Sequence, residues 1–154
     1  MTPMALALIE AAQAAARGEV PVGAVITDGT GAVLAAAGNE VEARSDPTAH
    51  AETLALRAAA ARLGGKFLPG CTLTVTLEPC PLCAAAIALY RIERLVFGAY
   101  DPKSGGVEHG PRIFDHPTCH HRPIVIGGVA EQDSARLLTD FFKARRNPAN
   151  SAER

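Results

Sequence analysis

The sequence predicts an α/β protein, a three-layer α/β/α sandwich around a central mixed sheet of about five strands. Three observations lead there. Strand-like apolar runs alternate with helical segments in the order α-β-β-α-β-α-β-β-α, several helices carry explicit start and stop signals, and the β-α-β passage through the middle demands at least one parallel crossover. The chain has 154 residues, 48% of them hydrophobic and 20% charged, which is the balance of one globular domain. A chain of about 150 residues buries roughly 68–70% of its unfolded surface, so a core forms without disulfide staples.

Thr2-Pro3 reads as an N-cap followed by proline at the first helical position, and the helix runs from about Met4 to Arg17, where Gly18 stops it. Val22 to Thr27 and Ala32 to Ala37, joined by the turn Asp28-Gly29-Thr30-Gly31, form a β-hairpin. A polar loop follows. Asp46-Pro47-Thr48 opens a second helix from about Ala49 to Leu63, closed by Gly64-Gly65. Cys71 to Leu77 alternates as a strand, and Glu78-Pro79 turns it into an apolar helix from Cys80 to about Tyr90. Leu95 to Phe97 and Ile124 to Ile126 are the remaining strands, and Ser134 to Arg145 is a C-terminal amphipathic helix whose Phe141 and Phe142 are expected in the core, with one of them flanking a substrate as the alternative. The long stretch from Tyr100 to Arg122 lacks periodicity, which marks it as a lid or specificity loop.

Net charge is −1, so no global positive field marks a nucleic-acid binder. Residues 141–154 hold Lys143, Arg145, Arg146 and Arg154 against Glu153, a net +3, which leaves −4 for residues 1–140. No apolar run reaches the roughly 18 residues of a membrane span. The alanine-rich start contains Glu10 and Gln13 and lacks a basic n-region, so no membrane partner is expected and the protein is expected in the cytoplasm. In that compartment a C-x-x-C pair serves metal or redox chemistry more often than a structural disulfide.

The chemistry concentrates in His50-Ala51-Glu52 at the start of one helix and Pro79-Cys80-Pro81-Leu82-Cys83 at the start of another. Cys80 and Cys83 are three apart, so both sulfurs leave one helix face, and the helix N-terminus favours the thiolates a metal requires. One imidazole and two thiolates suit Zn2+, and three protein ligands with an open position are the pattern of a catalytic site. Glu52 does not share the direction of His50, which makes it a poor ligand but places it beside a bound water. There a carboxylate can move protons from water whose pKa zinc lowers to about 7, which is hydrolytic chemistry. A structural zinc knot would need a fourth protein ligand, for which Cys119, His120 and His121 are the candidates. H-x-E with P-C-x-x-C is itself a known signature of zinc nucleobase deaminases, whose target base is turned out of its stack.

Five segments, Glu19-Val-Pro-Val-Gly-Ala24, Asp46-Pro-Thr-Ala-His-Ala-Glu52, Thr74-Val-Thr-Leu-Glu-Pro-Cys80, Arg94-Leu-Val-Phe-Gly98 and Asp140-Phe-Phe-Lys-Ala-Arg-Arg146, resemble the bacterial tRNA-specific adenosine deaminase family. The resemblance implies a homodimeric zinc enzyme of the cytidine deaminase-like fold that converts the wobble adenosine of a tRNA anticodon to inosine. It implies one Zn2+ on His50, Cys80 and Cys83, Glu52 as proton shuttle, and Asn39 hydrogen-bonded to the flipped base. The deaminase domain would span 1–146, with 147–154 a short polar tail. Segments 104–112 and 117–121 depart from better-known members, which bears on substrate choice more than on reaction type. Asp101 reads as a turn or as an RNA-facing edge of the site. Lys143, Arg145 and Arg146 complement a helix dipole or contact phosphates. A free nucleobase or nucleoside deaminase and a non-catalytic zinc-stabilised module are the alternatives.

Overall fold

In the computed structural model, which describes residues 1–146, the elements follow the expected order; the predicted tail 147–154 lies outside the described residues. They are α1 (Pro3–Ala16), β1 (Gly23–Thr27), β2 (Val33–Gly38), α2 (Val41–Arg44), α3 (Ala51–Leu63), β3 (Thr72–Leu77), α4 (Pro81–Leu89), β4 (Arg94–Ala99), a 3₁₀ turn at Ile113–Asp115, β5 (Ile124–Ile126) and α5 (Glu131–Arg146). Thr2 caps α1 as expected, accepting from Ala5 N at 3.1 Å. The one-turn α2 was not legible in the polar loop. It forms because the Glu19 carboxylate accepts the amides of Glu42 and Ala43, at 3.0 and 2.8 Å, and so caps it from another segment. Nor does α3 begin at Ala49. Asp46 closes its own turn on the Thr48 amide at 2.8 Å, and His50, still extended, becomes the N-cap.

The sheet order is β2-β1-β3-β4-β5, antiparallel on either side of β1 and parallel from β3 to β5. Alternation along the strands divides the core. Ala24 and Ile26 of β1, Leu73 and Val75 of β3, and Leu95 and Phe97 of β4 pack on the α3/α4 side, with Leu56 and Ile87 from those helices. Val25 and Val96 face the other side, where α1 and α5 lie. The three-layer α/β/α architecture with a five-stranded mixed sheet is therefore present.

Strand direction positions the site. Gly23 pairs with Gly38, Ala24 with Val75, and Leu77 with Ala99. The start of β1, the end of β2 and the carboxyl ends of β3 and β4 thus share one edge, the place where open α/β sheets hold their ligands. Asn39, Glu78 and Tyr100 leave the sheet there. Among the described residues no helix is long and apolar enough to cross a membrane.

The close seating of α1 on the hairpin depends on small residues. Ala7, Ala11 and Ala14 form its buried stripe, and a Cβ at Gly23 would collide with the Ala7 carbonyl oxygen and lie 2.7 Å from Ala11 N. Because the obstruction is backbone, Gly23→Ala should cost at least about 1–3 kcal/mol and lower Tm by about 4 °C or more, measured by thermal unfolding.

Candidate active site

The N-termini of α3 and α4 meet above the shared sheet edge. His50 is the N-cap of α3, Cys80 the N-cap of α4, and Cys83 sits in the first turn of α4. His50 Nδ1 stands 3.3 Å from Cys83 Sγ and 3.5 Å from Cys80 Sγ, and the three donor atoms lie within 4.8 Å of one another. Tetrahedral zinc with ordinary Zn–N and Zn–S lengths sets N···S separations of about 3.6 Å, so the donors fit that ion without rearrangement. The titration behaviour fits as well. The Cys83 thiol, followed by His50, hydrogen-bonds to Cys80 and pushes its pKa down. Donation to Cys80 and burial push Cys83 up, and the same Cys80 contact raises His50. A divalent cation bound here would displace the Cys83 proton and hold both sulfurs as thiolates.

Among the described residues no other histidine, cysteine or acid joins this group. The Cys119–His121 loop is elsewhere: Cys119 Sγ donates to His121 O at 3.2 Å, and His121 Nε2 meets Ile92 O at 2.7 Å beyond the C-terminal end of α4. It staples the 110–122 loop and supplies no fourth ligand. The expected lid is thus two pieces, since only its 101–104 part reaches the site.

His50 and Cys80 line a cavity of about 390 Å³, the size of a small-ligand pocket, with Cys83 buried behind them. Glu52 lines it, 4% exposed and in contact with Cys83; burial pushes its carboxyl up to about 7, while its own backbone amide pulls the other way. A carboxyl poised near neutrality can both take and return a proton. Asn39 lines the cavity beside the start of α3. Its Oδ1 accepts the Ala51 amide at 2.9 Å, which commits the oxygen to α3 and leaves the NH₂ group as the donor it offers the cavity.

Asp101, Ser104, Phe141, Phe142 and Arg145 complete the wall. The two phenylalanines are therefore not core residues: Phe141 is half-buried, Phe142 exposed, and they pack edge to face at 5.3 Å. The Arg145 guanidinium lies 4.4 Å from the Phe141 ring centroid and donates to Gly18 O, strapping α5 to the α1–β1 connection. Arg146 lines an adjoining groove with Tyr100, Lys103 and Phe142, whereas Lys143 is exposed and lines neither. Two residues the sequence reading did not single out, Glu19 and Glu78, are buried carboxylates in this wall. An acid after a strand or helix carries no periodic signature, so only the unusual setting of Glu78 between an alternating strand and Pro79 hinted at it.

Residues 2–99 match the cytidine and deoxycytidylate deaminase zinc-binding region. The chain belongs to this deaminase family. It is 52% identical over 143 residues to the tRNA-specific adenosine deaminase of Agrobacterium fabrum, covering 93% of both proteins. A solved structure from work on A-to-I editing by tRNA:A34 deaminases superposes with a TM-score of 0.87 at 53% identity, covering 88% of this chain and 98% of that one. The guanine deaminase of Bacillus subtilis is more distant, with a TM-score of 0.59 at 31% identity over 94% of this chain and 92% of that one. The deaminase thus carries a zinc site in His50, Cys80 and Cys83. We expect one zinc per chain by elemental analysis, and its loss in Cys83→Ala, because two remaining ligands leave the ion half-coordinated.

Proposed function

We propose that the chain is a zinc-dependent hydrolytic deaminase that converts the wobble adenosine of a tRNA anticodon to inosine. The observation that carries this reading is a buried proton-carrying carboxylate, Glu52, beside three zinc ligands in an open cavity. A metal that only held the fold would have no use for it, which argues against a zinc-stabilised interaction module. The near-complete overlap with tRNA-specific adenosine deaminases supports adenosine in RNA over a free base.

Held by His50, Cys80 and Cys83, zinc would lower the pKa of water towards about 7 and so make it a ready nucleophile. Glu52 accepts the proton that water sheds as its oxygen bonds to C6, and gives it to ring N1. It then transfers the second proton to the exocyclic amine, so that the C6–N bond breaks with release of ammonia and the inosine carbonyl remains. Asn39 donates to an acceptor on the turned-out base. The flanking nucleotides lie in the adjoining groove, where Tyr100 and Phe142 offer rings for stacking, Lys103 and Arg146 offer charge to phosphates, and Asp101 marks the rim. Arg145 acts mainly by holding the Phe141 wall, and Lys143 adds positive field from outside. The same reading assigns the protein to the cytoplasm, where tRNA is found and thiols stay reduced.

Glu52→Gln should keep its zinc and lose at least about 100-fold in turnover on an adenosine-bearing anticodon stem-loop, as expected for loss of a general acid–base group. Product analysis of the unsubstituted protein should show inosine in the RNA and no turnover of guanine, cytosine or free adenosine. Turnover of a free base with inert RNA would overturn the assignment.

A second copy completes the assembly in this proposal. Leu82 and Leu89, 45% and 68% exposed, with half-buried Ala85 and Ala86 between them, form an apolar stripe along the outer face of α4. Burying it against a twofold mate makes an isologous dimer. Light scattering should give a dimer mass, reduced to that of a monomer by Leu89→Arg.

A further inference from the structure

The segment that follows β4 has almost no regular structure, yet it presents Asp101 and Ser104 to the cavity. What fixes it is a single side chain. Glu78 is fully buried, and its Oε1 accepts the Asp101 amide at 3.0 Å and pairs with His109 Nδ1 at 2.8 Å. Its Oε2 accepts the amides of Val107, Glu108 and His109 at 3.2, 3.0 and 3.1 Å. Five hydrogen bonds thus gather residues 101–109 around one carboxylate. The fit is close at both glycines of the loop: a Cβ at Gly105 would strike Glu78 Oε2, and one at Gly106 would lie 2.5 Å from Pro81 N. Gly106 N also donates to Pro79 O at 2.8 Å, which binds the loop to the turn that leads into Cys80.

We propose that Glu78 is a positioning residue for substrate: by holding the backbone of 101–109 it sets where Asp101 and Ser104 stand at the cavity mouth, and so governs nucleotide binding without taking part in bond breaking. This rests on the nucleotide-deaminating reading above. Glu78 lines the cavity wall, yet the hydrogen bonds of its carboxylate all go to residues 101–109 and none to a zinc ligand. Its whole hydrogen-bonding capacity is directed outward, into the loop. His109 extends the anchor by resting edge-on against Tyr100, ring centroids 6.1 Å apart, so the same carboxylate also steadies a ring of the adjoining groove.

Glu78→Gln tests the proposal, because the isosteric amide turns one acceptor into a donor that faces N–H groups. With the zinc-loaded variant we expect KM for the anticodon stem-loop to rise about tenfold or more while kcat stays within about threefold, the loss expected when charge-assisted bonds to the loop are broken. Hydrogen exchange read without substrate should show the amides of Asp101, Val107, Glu108 and His109 exchanging at least about tenfold faster, with the β3 and α4 amides unchanged. Gly105→Ala should reproduce both effects with the carboxylate intact, since Gly105 lies outside the left-handed region and its new methyl group meets only the anchor and the loop. Freed amides with an unchanged KM, or a fall in kcat accompanied by loss of zinc, would overturn the proposal. Failure of the wobble-adenosine reading would appear separately, as inactivity of the unsubstituted protein, while the exchange experiment still reports on the anchor.

Discussion

Two helix N-termini converge on one point, and the rest of the structure depends on making that convergence tolerable. Each terminus carries partial positive charge and unsatisfied N–H groups. Neither α3 nor α4 has a conventional side-chain cap: His50 and Cys80 occupy the capping positions without bonding back to their helices. Cys80, driven towards the thiolate by the Cys83 hydrogen bond and by His50, supplies negative charge where the two ends meet. The same field that lowers the cost of a thiolate helps to make the sulfurs ligands, so helix polarity and metal affinity reinforce one another. A neutral residue at either cysteine would remove a ligand and leave two like dipole ends facing each other.

Bringing those termini together requires the mixed sheet. A parallel β3–α4–β4 unit sends α4 back across the sheet from the carboxyl end of β3, which puts Cys80 at the strand edge. His50 reaches the same edge by a different route. The antiparallel β1–β2 hairpin returns the chain to that end at Gly38, and Asn39 then ties its side chain to Ala51, the first residue of α3. Asn39 is therefore a joint between hairpin and helix as well as a cavity wall, which is why a residue that reads locally as a turn former is 8% exposed.

The parts of this arrangement that were legible in the sequence are those encoded by spacing along the chain. Alternation along 71–77 marks β3, proline and glycine punctuation marks both ends of α1, the close of α3 and the entry to α4, and the separation of Cys80 from Cys83 marks a shared face; the metal site followed because its ligands sit at the starts of two recognisable helices. What escaped was encoded by contacts between distant segments. Glu19 makes α2 by capping it from 23 residues away, and Glu78 shapes a loop whose farthest tie is 31 residues on. Of the two readings open for Phe141 and Phe142, core residue or substrate-flanking ring, helix spacing favours the first for a related reason. Aromatic residues on an amphipathic helix are assumed to enter a core, and here the helix end overhangs a cavity, so the rings line it.

The same contrast explains how a chain with net charge −1 can serve an anionic polymer. Its acidic surplus is not all presented to solvent. Glu19, Glu52 and Glu78 are buried in the wall of the cavity, two of them occupied with backbone amides and the third held close to neutrality. The Glu52 carboxyl, raised to about 7, carries less negative charge than a formal count assigns it, whereas Lys103 and Arg146 line the groove beside the cavity. Electrostatic attraction falls off over roughly 8–10 Å at physiological salt, so the local balance at the rim, and not the total, decides which sign an approaching backbone encounters. A proton held on Glu52 in the wall and cations left along the groove then act in the same direction, since both make the rim less repulsive to an anionic backbone.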